Sequence, residues 1–242
     1  MRDQEDAVGH LDWDYYRGKD VQEVIERDDG YIDASGGPQA YFASFRHWPA
    51  GERRAMRHAR SRVLDVGCGA GRVALHLQGK GYEVTGIDNS PLAIRVCKHR
   101  GLRRTRVVPA DQVAFPGNSF DTVVLLGNNF GLLANRPRAR LMLRRFHEMT
   151  SPDAHIIAGS LNPQDTDNPF HLAYHRRNRT RGRMPGQVRI RVRYQLYATP
   201  WFDYLFVSKA EMRGIVRGTG WHVREFLDCE GPAYVAILEK DG

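Results

Sequence analysis

The residues of this 242-residue chain best placed to do chemistry are three aspartates and a run of glycines. In "VLDVGCGAGRVALHL", Val63 to Leu77, Asp65 precedes Gly67, Gly69 and Gly71, with Cys68 between the first two. Three missing side chains let a ligand approach the backbone closely. Asp88 and Asp111 follow at equal intervals, each after an apolar run. A carboxylate at Asp88 suits the two hydroxyls of a ribose. One at Asp111 suits the amino group of adenine, with the backbone N–H of Gln112 directed at a ring nitrogen. A carboxylate beside the turn, as at Asp65, repels a pyrophosphate and favours a ligand with cationic groups.

The spacing separates two nucleotide ligands. A dinucleotide turn reads GxGxxG, its last small residue allowing helix and strand to pack closely. Here the spacing is GxGxG and Arg72 stands where that third glycine would fall. S-adenosylmethionine (SAM) carries an amine and a sulfonium and no phosphate, so it fits where a nicotinamide dinucleotide does not. A dehydrogenase is disfavoured on that ground.

The elements that must position these residues alternate. A strand leads into the glycine turn, and a helix follows through Val73, Ala74 and Leu77. "YEVTGID" is a second strand, ahead of a helix with Ser90 as N-cap and Pro91 in its first turn. "TRVVPAD" is a third. "FDTVVLLGNN", with its unbroken apolar run, is a fourth that is buried on both faces. A helix near Arg138–Thr150 and the strand "HIIAGSL" follow. This alternation predicts an α/β, doubly wound, mostly parallel sheet with helices on both faces.

"LDVGCGAGRVA", "GIDNSP", "PADQVAFP" and "FDTVVLLGNN" resemble, in order and separation, the successive motifs of class I SAM-dependent methyltransferases. The resemblance covers Arg62 to Leu161 and resumes in the closing helix and strand pair of Ser208–Lys240. It implies a seven-stranded sheet whose last strand is antiparallel, with SAM as cofactor and S-adenosylhomocysteine (SAH) as product. It implies that Asp65, Gly67, Cys68 and Gly69 line the methionine half of the cofactor. Asp88 and Asn89 would meet the ribose and the adenine edge, Asp111 and Gln112 the adenine, and Asn128 would lie near the sulfonium.

The methyl acceptor is less legible. In-line displacement draws much of its rate from proximity, and a base is needed only where the acceptor must lose a proton. "GNNF" stands where enzymes that methylate amino groups of DNA bases carry an Asn/Asp-Pro-Pro-aromatic tetrapeptide. Asn129, like Asn128, either orients an acceptor or shapes the turn. His171 and His175 are candidate bases or structural histidines. Tyr15, Tyr16, Tyr174, Tyr194 and Trp201 either wall an acceptor pocket or pack locally.

These readings divide a single methyltransferase domain, 1–242, into four parts. They are a helical N-terminal lid over 1–60, a SAM-binding core over 61–161, an inserted substrate-side hairpin over 162–206, and a closing helix and strand pair over 207–242. Asn162 onward shows no helix stripe until "QVRIRVRYQLY", which alternates strictly, with "WFDYLFV" as its partner. The outward Arg189, Arg191 and Arg193 read as a solvated edge strand.

The formal charge is +8 and the arginines cluster. A small-molecule methyltransferase is the expectation, ahead of an RNA or nucleic-acid methyltransferase using those clusters and of a non-catalytic SAM-binding protein. Three scattered cysteines without a CxxC predict a reduced, cytoplasmic setting and no metal site. No apolar run is long enough to span a bilayer. Monomer and homodimer are both compatible with the sequence.

Overall fold

The computed structural model describes residues 1–34 and 36–241. In chain order its elements are α1 (Ala7–Tyr16), β1 (Val24–Arg27), β2 (Ile32–Ala34), α2 (Pro38–Phe42) and α3 (Ala50–Ala55). Then come β3 (Arg62–Val66), α4 (Arg72–Gly79), β4 (Glu83–Asp88), α5 (Pro91–His99), β5 (Arg104–Val107) and β6 (Phe120–Leu125). Next are α6 (Arg136–Met149), β7 (Thr150–Leu161), α7 (Pro169–Thr180), β8 (Gln187–Tyr194), β9 (Tyr197–Ala198) and β10 (Phe202–Leu205). The chain closes with α8 (Lys209–Val216), β11 (Trp221–Asp228) and β12 (Ala233–Lys240).

Seven strands form one sheet in the order β11-β12-β7-β6-β3-β4-β5. The pairs β4·β5 and β6·β7 are parallel, whereas β12 runs antiparallel to both β7 and β11. The sheet is therefore mixed, with the reversal at β12. A second sheet runs β10-β8-β1-β2, with β9 paired to β8.

Contacts gather into two compact units. The first comprises Met1–Trp48, Leu64–Val113 and Arg189–Phe202. Its α4 buries Val73, Ala74 and Leu77, and α5 buries Ala93, Ile94, Val96 and Cys97. The second comprises Pro49–Val63, Ala114–Val188 and Asp203–Gly242. Its α6 buries Ala139, Met142, Leu143, Phe146 and Met149, which lie on one helical face. Trp221 is fully buried there and donates its indole N–H to the Leu143 carbonyl at 2.8 Å.

Three sequence expectations are corrected. The N-terminal segment is not only helical. Its β1 pairs antiparallel with β8, setting Glu26 opposite Arg191. Consequently β8 is not a solvated edge: Glu26 takes Arg191 at 2.8 Å and Arg193 at 3.3 Å, with Arg191 half-buried and Arg189 and Arg193 exposed. The segment after Asn162 does contain a helix, α7. It buries Tyr174, His175 and Asn178, so it carries no aliphatic stripe for periodicity to detect. Its start was nonetheless written in Asn168-Pro169, an N-cap accepting from Phe170 N followed by a first-turn proline.

Candidate functional site

The glycine turn after β3 is built with almost every backbone group assigned. Gly67, Gly69 and Gly71 have φ of 69°, 51° and 85°, left-handed conformations that favour glycine. The N–H groups of Gly67 and Cys68 both donate to the Ile87 carbonyl, at 2.9 and 3.0 Å, which draws the turn against the end of β4. The carbonyl of Gly69 accepts from the Cys97 thiol at 3.0 Å, and that of Ala70 accepts from Arg100. Arg72 lies outside the turn, its guanidinium over the Trp48 ring at 4.6 Å. Trp48 itself is buried and donates to the Ala43 carbonyl, so the aromatic Tyr41–Pro49 stretch is partly spent on packing α4.

Asp88 is the hub of this arrangement. One carboxylate oxygen accepts from Gly69 N and the other from Ser90 N, both at 2.9 Å. Its backbone carbonyl accepts from Val108 N at 2.8 Å, which ties in the segment leading to the 3₁₀ turn Ala110–Gln112. Burial raises the Asp88 carboxyl above its ordinary range, against the pull of those N–H donors. Asn89, Asp111 and Gln112 are exposed beside these elements.

Asp65 is placed differently from the expectation of a side chain facing a ligand. It is buried and accepts from Ala74 N at 3.1 Å, anchoring the first turn of α4 from beneath. Burial pushes its carboxyl up to about 7, with Arg72 and the Ala74 N–H acting against that rise.

Further carboxyl groups come with α1. Asp6 caps two helices at once: it accepts from Gly9 N in α1 at 3.1 Å and from Leu92 N in α5 at 3.2 Å. A Cβ on Gly9 would lie 2.3 Å from Ser90 Oγ, so only glycine permits this approach. Trp13 of α1 adds Arg95 over its ring at 4.3 Å. The N-terminal helix is thus pinned along α5, and it carries the buried Asp12, whose Oδ2 is 4.0 Å from where a Cβ on Gly69 would stand. Sequence reading passed over Asp12. Its signal was an aspartate beside Leu11 on the buried face of a helix.

Tyr15, Tyr194 and Trp201 of this unit make packing contacts. Tyr194 is buried with Ala7, Leu11 and Val21, its hydroxyl donating to Asp14 at 2.9 Å, and Tyr15 packs on the same cluster and against Phe42. Tyr16 is exposed near His99. Trp201 lies against the Arg191 guanidinium at 4.7 Å.

In the second unit, Asn128 follows β6 with φ of 66°. Its carbonyl accepts from the Tyr204 hydroxyl at 2.8 Å, and Gly127 N donates to the buried Glu52 at 3.3 Å. Tyr204 and Glu52 brace this loop, and Glu52 escaped sequence reading because its partner is a backbone atom far away in the chain. Asn129 opens the 3₁₀ turn Asn129–Leu133. Tyr174 and His175 are buried on α7, and His171 is half-buried. Among the described residues no cluster of three or more His, Cys, Asp or Glu is arranged to hold a metal, and no helix is long and apolar enough to cross a membrane.

Parts of the chain are similar to known proteins. Residues 63–153 match the methyltransferase domain family. A ubiquinone biosynthesis O-methyltransferase from Azorhizobium caulinodans is 31% identical over 117 residues, 46% of this chain and 45% of that protein. One from Alkalilimnicola ehrlichii is 31% identical over 107 residues, 42% of each. The chain thus spans less than half the length of these curated relatives. A SAM-dependent methyltransferase from Bacteroides fragilis, crystallised with SAH, is 26% identical with a TM-score of 0.84, over 100% of this chain and 98% of that one. Glycine turn, acidic strand end and mixed seven-stranded sheet agree with these likenesses: residues 63–153 form a methyltransferase domain, and the chain has the fold of the class I SAM-dependent methyltransferases.

Proposed function

We propose that the chain, as one domain over 1–242, transfers the methyl group of SAM to a small-molecule acceptor. The observation that carries this reading is the turn itself. Three left-handed glycines form it, Gly67 and Gly69 tied to β4, and Asp88 sits at the rim with its carboxylate already oriented by two N–H donors. Such a turn fits a nucleoside without a pyrophosphate, and the unpartnered Asp12 carboxylate beside it fits a ligand rich in N–H or O–H donors. Bound SAM supplies an electrophilic methyl group on sulfur, open to in-line attack. The chain's own residues orient and enclose: Asp88 and Asn89 toward the ribose, Gly67, Cys68 and Gly69 toward the methionine half, Asp111 and Gln112 toward adenine. Asp65 contributes by fixing α4 under the turn, and Asn128 by a backbone that Tyr204 holds.

The acceptor side is assigned to Asn129 and α7, with His171 and His175 as the groups able to take a proton if the acceptor must lose one. A nucleic-acid acceptor is the weaker reading, since several clustered arginines are engaged within the fold. Arg191 and Arg193 pair with Glu26, and Arg140 donates to the carbonyls of Ile215 and Arg217. The test is transfer of radiolabelled methyl from SAM to a panel of phenols and amines, with RNA as the competing acceptor. The panel begins with phenols because two relatives are named as O-methyltransferases. We expect a small acceptor to be labelled at a rate that barely changes between low and physiological salt. Labelling of RNA alone, falling steeply with salt, would replace this reading with the nucleic-acid one.

A further inference from the structure

Asp12 sits within α1, is 1% exposed, and neither of its carboxylate oxygens has a hydrogen-bond partner among the described residues. Its Oδ2 points at the glycine turn, 4.0 Å from the position a Cβ on Gly69 would take. The charged groups that face it come from every neighbouring element. Asp88 ends β4, Glu23 precedes β1, Asp6 caps α1, and Arg100 follows α5. Three are carboxyl groups, and the one guanidinium among them is already directed at the Ala70 carbonyl and the Phe42 ring. Burial, reinforced by those three carboxylates, holds the Asp12 carboxyl well above its ordinary range.

Such a group is expensive to keep in a folded protein unless something meets it. Asp14, two residues on, shows the usual solution: its carboxylate takes Lys19 and the Tyr194 hydroxyl. Asp12 has no such pair, and α1 is not able to turn it outward, because Asp6 and Gly9 clamp the helix to α5.

We propose that Asp12 is a cofactor ligand supplied by the N-terminal helix, its carboxyl group accepting hydrogen bonds from donor groups that the bound nucleoside presents above Gly69. This rests on the reading of the turn as a SAM site. The donors are the ribose hydroxyls or the ammonium of the methionine tail, which present the same N–H or O–H chemistry to a carboxylate. Either donor favours the ionised acid, so binding displaces a proton from Asp12. Affinity then rises as pH climbs from the ordinary carboxylate range toward the raised value of the free protein, and levels off above it.

The test is calorimetry on the full chain with SAH and with 5′-deoxy-5′-methylthioadenosine, which keeps the ribose and sulfur but lacks the amino-acid tail. Wild type and Asp12→Asn are titrated in two buffers of different ionisation enthalpy, and their unliganded melting temperatures are compared. Asp65 and Asp88 also titrate, but both are present in each protein, so the difference isolates Asp12. We expect Asp12→Asn to bind SAH about 10- to 100-fold more weakly, to release fewer protons, and to melt no lower than wild type, since an unpartnered buried acid has been removed. Loss of affinity for both ligands assigns the ribose, and loss for SAH alone assigns the ammonium. Unchanged SAH affinity and proton release in Asp12→Asn would overturn the assignment. So would a drop in melting temperature large enough to explain the weaker binding. If wild type itself binds neither SAH nor SAM, the reading of the turn fails, and this assignment with it.

Discussion

Asp88→Ala is expected to weaken SAH binding by roughly 100-fold or more while moving the melting temperature little. Each hydrogen bond from a neutral donor to an ionised carboxylate contributes about 1.5–3 kcal/mol, and a ribose offers two. The stability effect is small because two terms oppose. Gly69 N and Ser90 N lose their acceptor, but a buried acid that faces Asp12 disappears. Asp88→Asn, which keeps one acceptor oxygen, should fall between alanine and wild type. Calorimetry beside a thermal melt separates the terms. Equal SAH affinity in Asp88→Ala would remove Asp88 from the site, and a collapse in melting temperature would make it a structural residue.

Gly131→Ala is expected to destabilise the second unit by about 3 kcal/mol, the upper range for overpacking a rigid interior. A Cβ on Gly131 would lie 2.1 Å from Tyr204 Cε1 and 2.4 Å from Cδ1 and Cζ. The ring has nowhere to go: its hydroxyl is hydrogen-bonded to the Asn128 carbonyl and its face meets Phe206 at 5.2 Å. For a chain of this length that is a fall of roughly 6–12 °C in melting temperature. Gly131→Ala combined with Tyr204→Leu, which makes room for the methyl group, should recover part of the loss. A melt of Gly131→Ala within a degree of wild type would show that the ring yields. Because Tyr204 braces the loop carrying Asn128, the single variant should also lose methyl transfer out of proportion to its SAH affinity.

The parts of this molecule legible from sequence are those written in local patterns. The glycine turn and the Ser90-Pro91 helix start each depend on residues within a few positions, and the structure has both. The pairing of β1 with β8 was not legible, since Glu26 and Arg191 are far apart in the chain and neither strand signals its partner. Helix α7 was missed because its buried face is Tyr174, His175 and Asn178, which no hydrophobic period reveals. The electrostatic reading of the turn rested on Asp65. Asp65 proved to be an anchor for α4, while Asp12 and Asp88 are the carboxylates gathered at Gly69. Aspartate type and spacing alone do not distinguish a side chain that points up from the turn from one that points beneath it.

The central claim is that a carboxylate-lined glycine turn takes up the sulfonium nucleoside rather than a phosphate-bearing dinucleotide. Titration of the full chain with SAM and SAH, and separately with NAD and NADP, puts the alternatives side by side. One molecule of SAM or SAH bound per chain, with no heat from either dinucleotide, is the result this account predicts. Tight dinucleotide uptake with no response to SAM or SAH would contradict it.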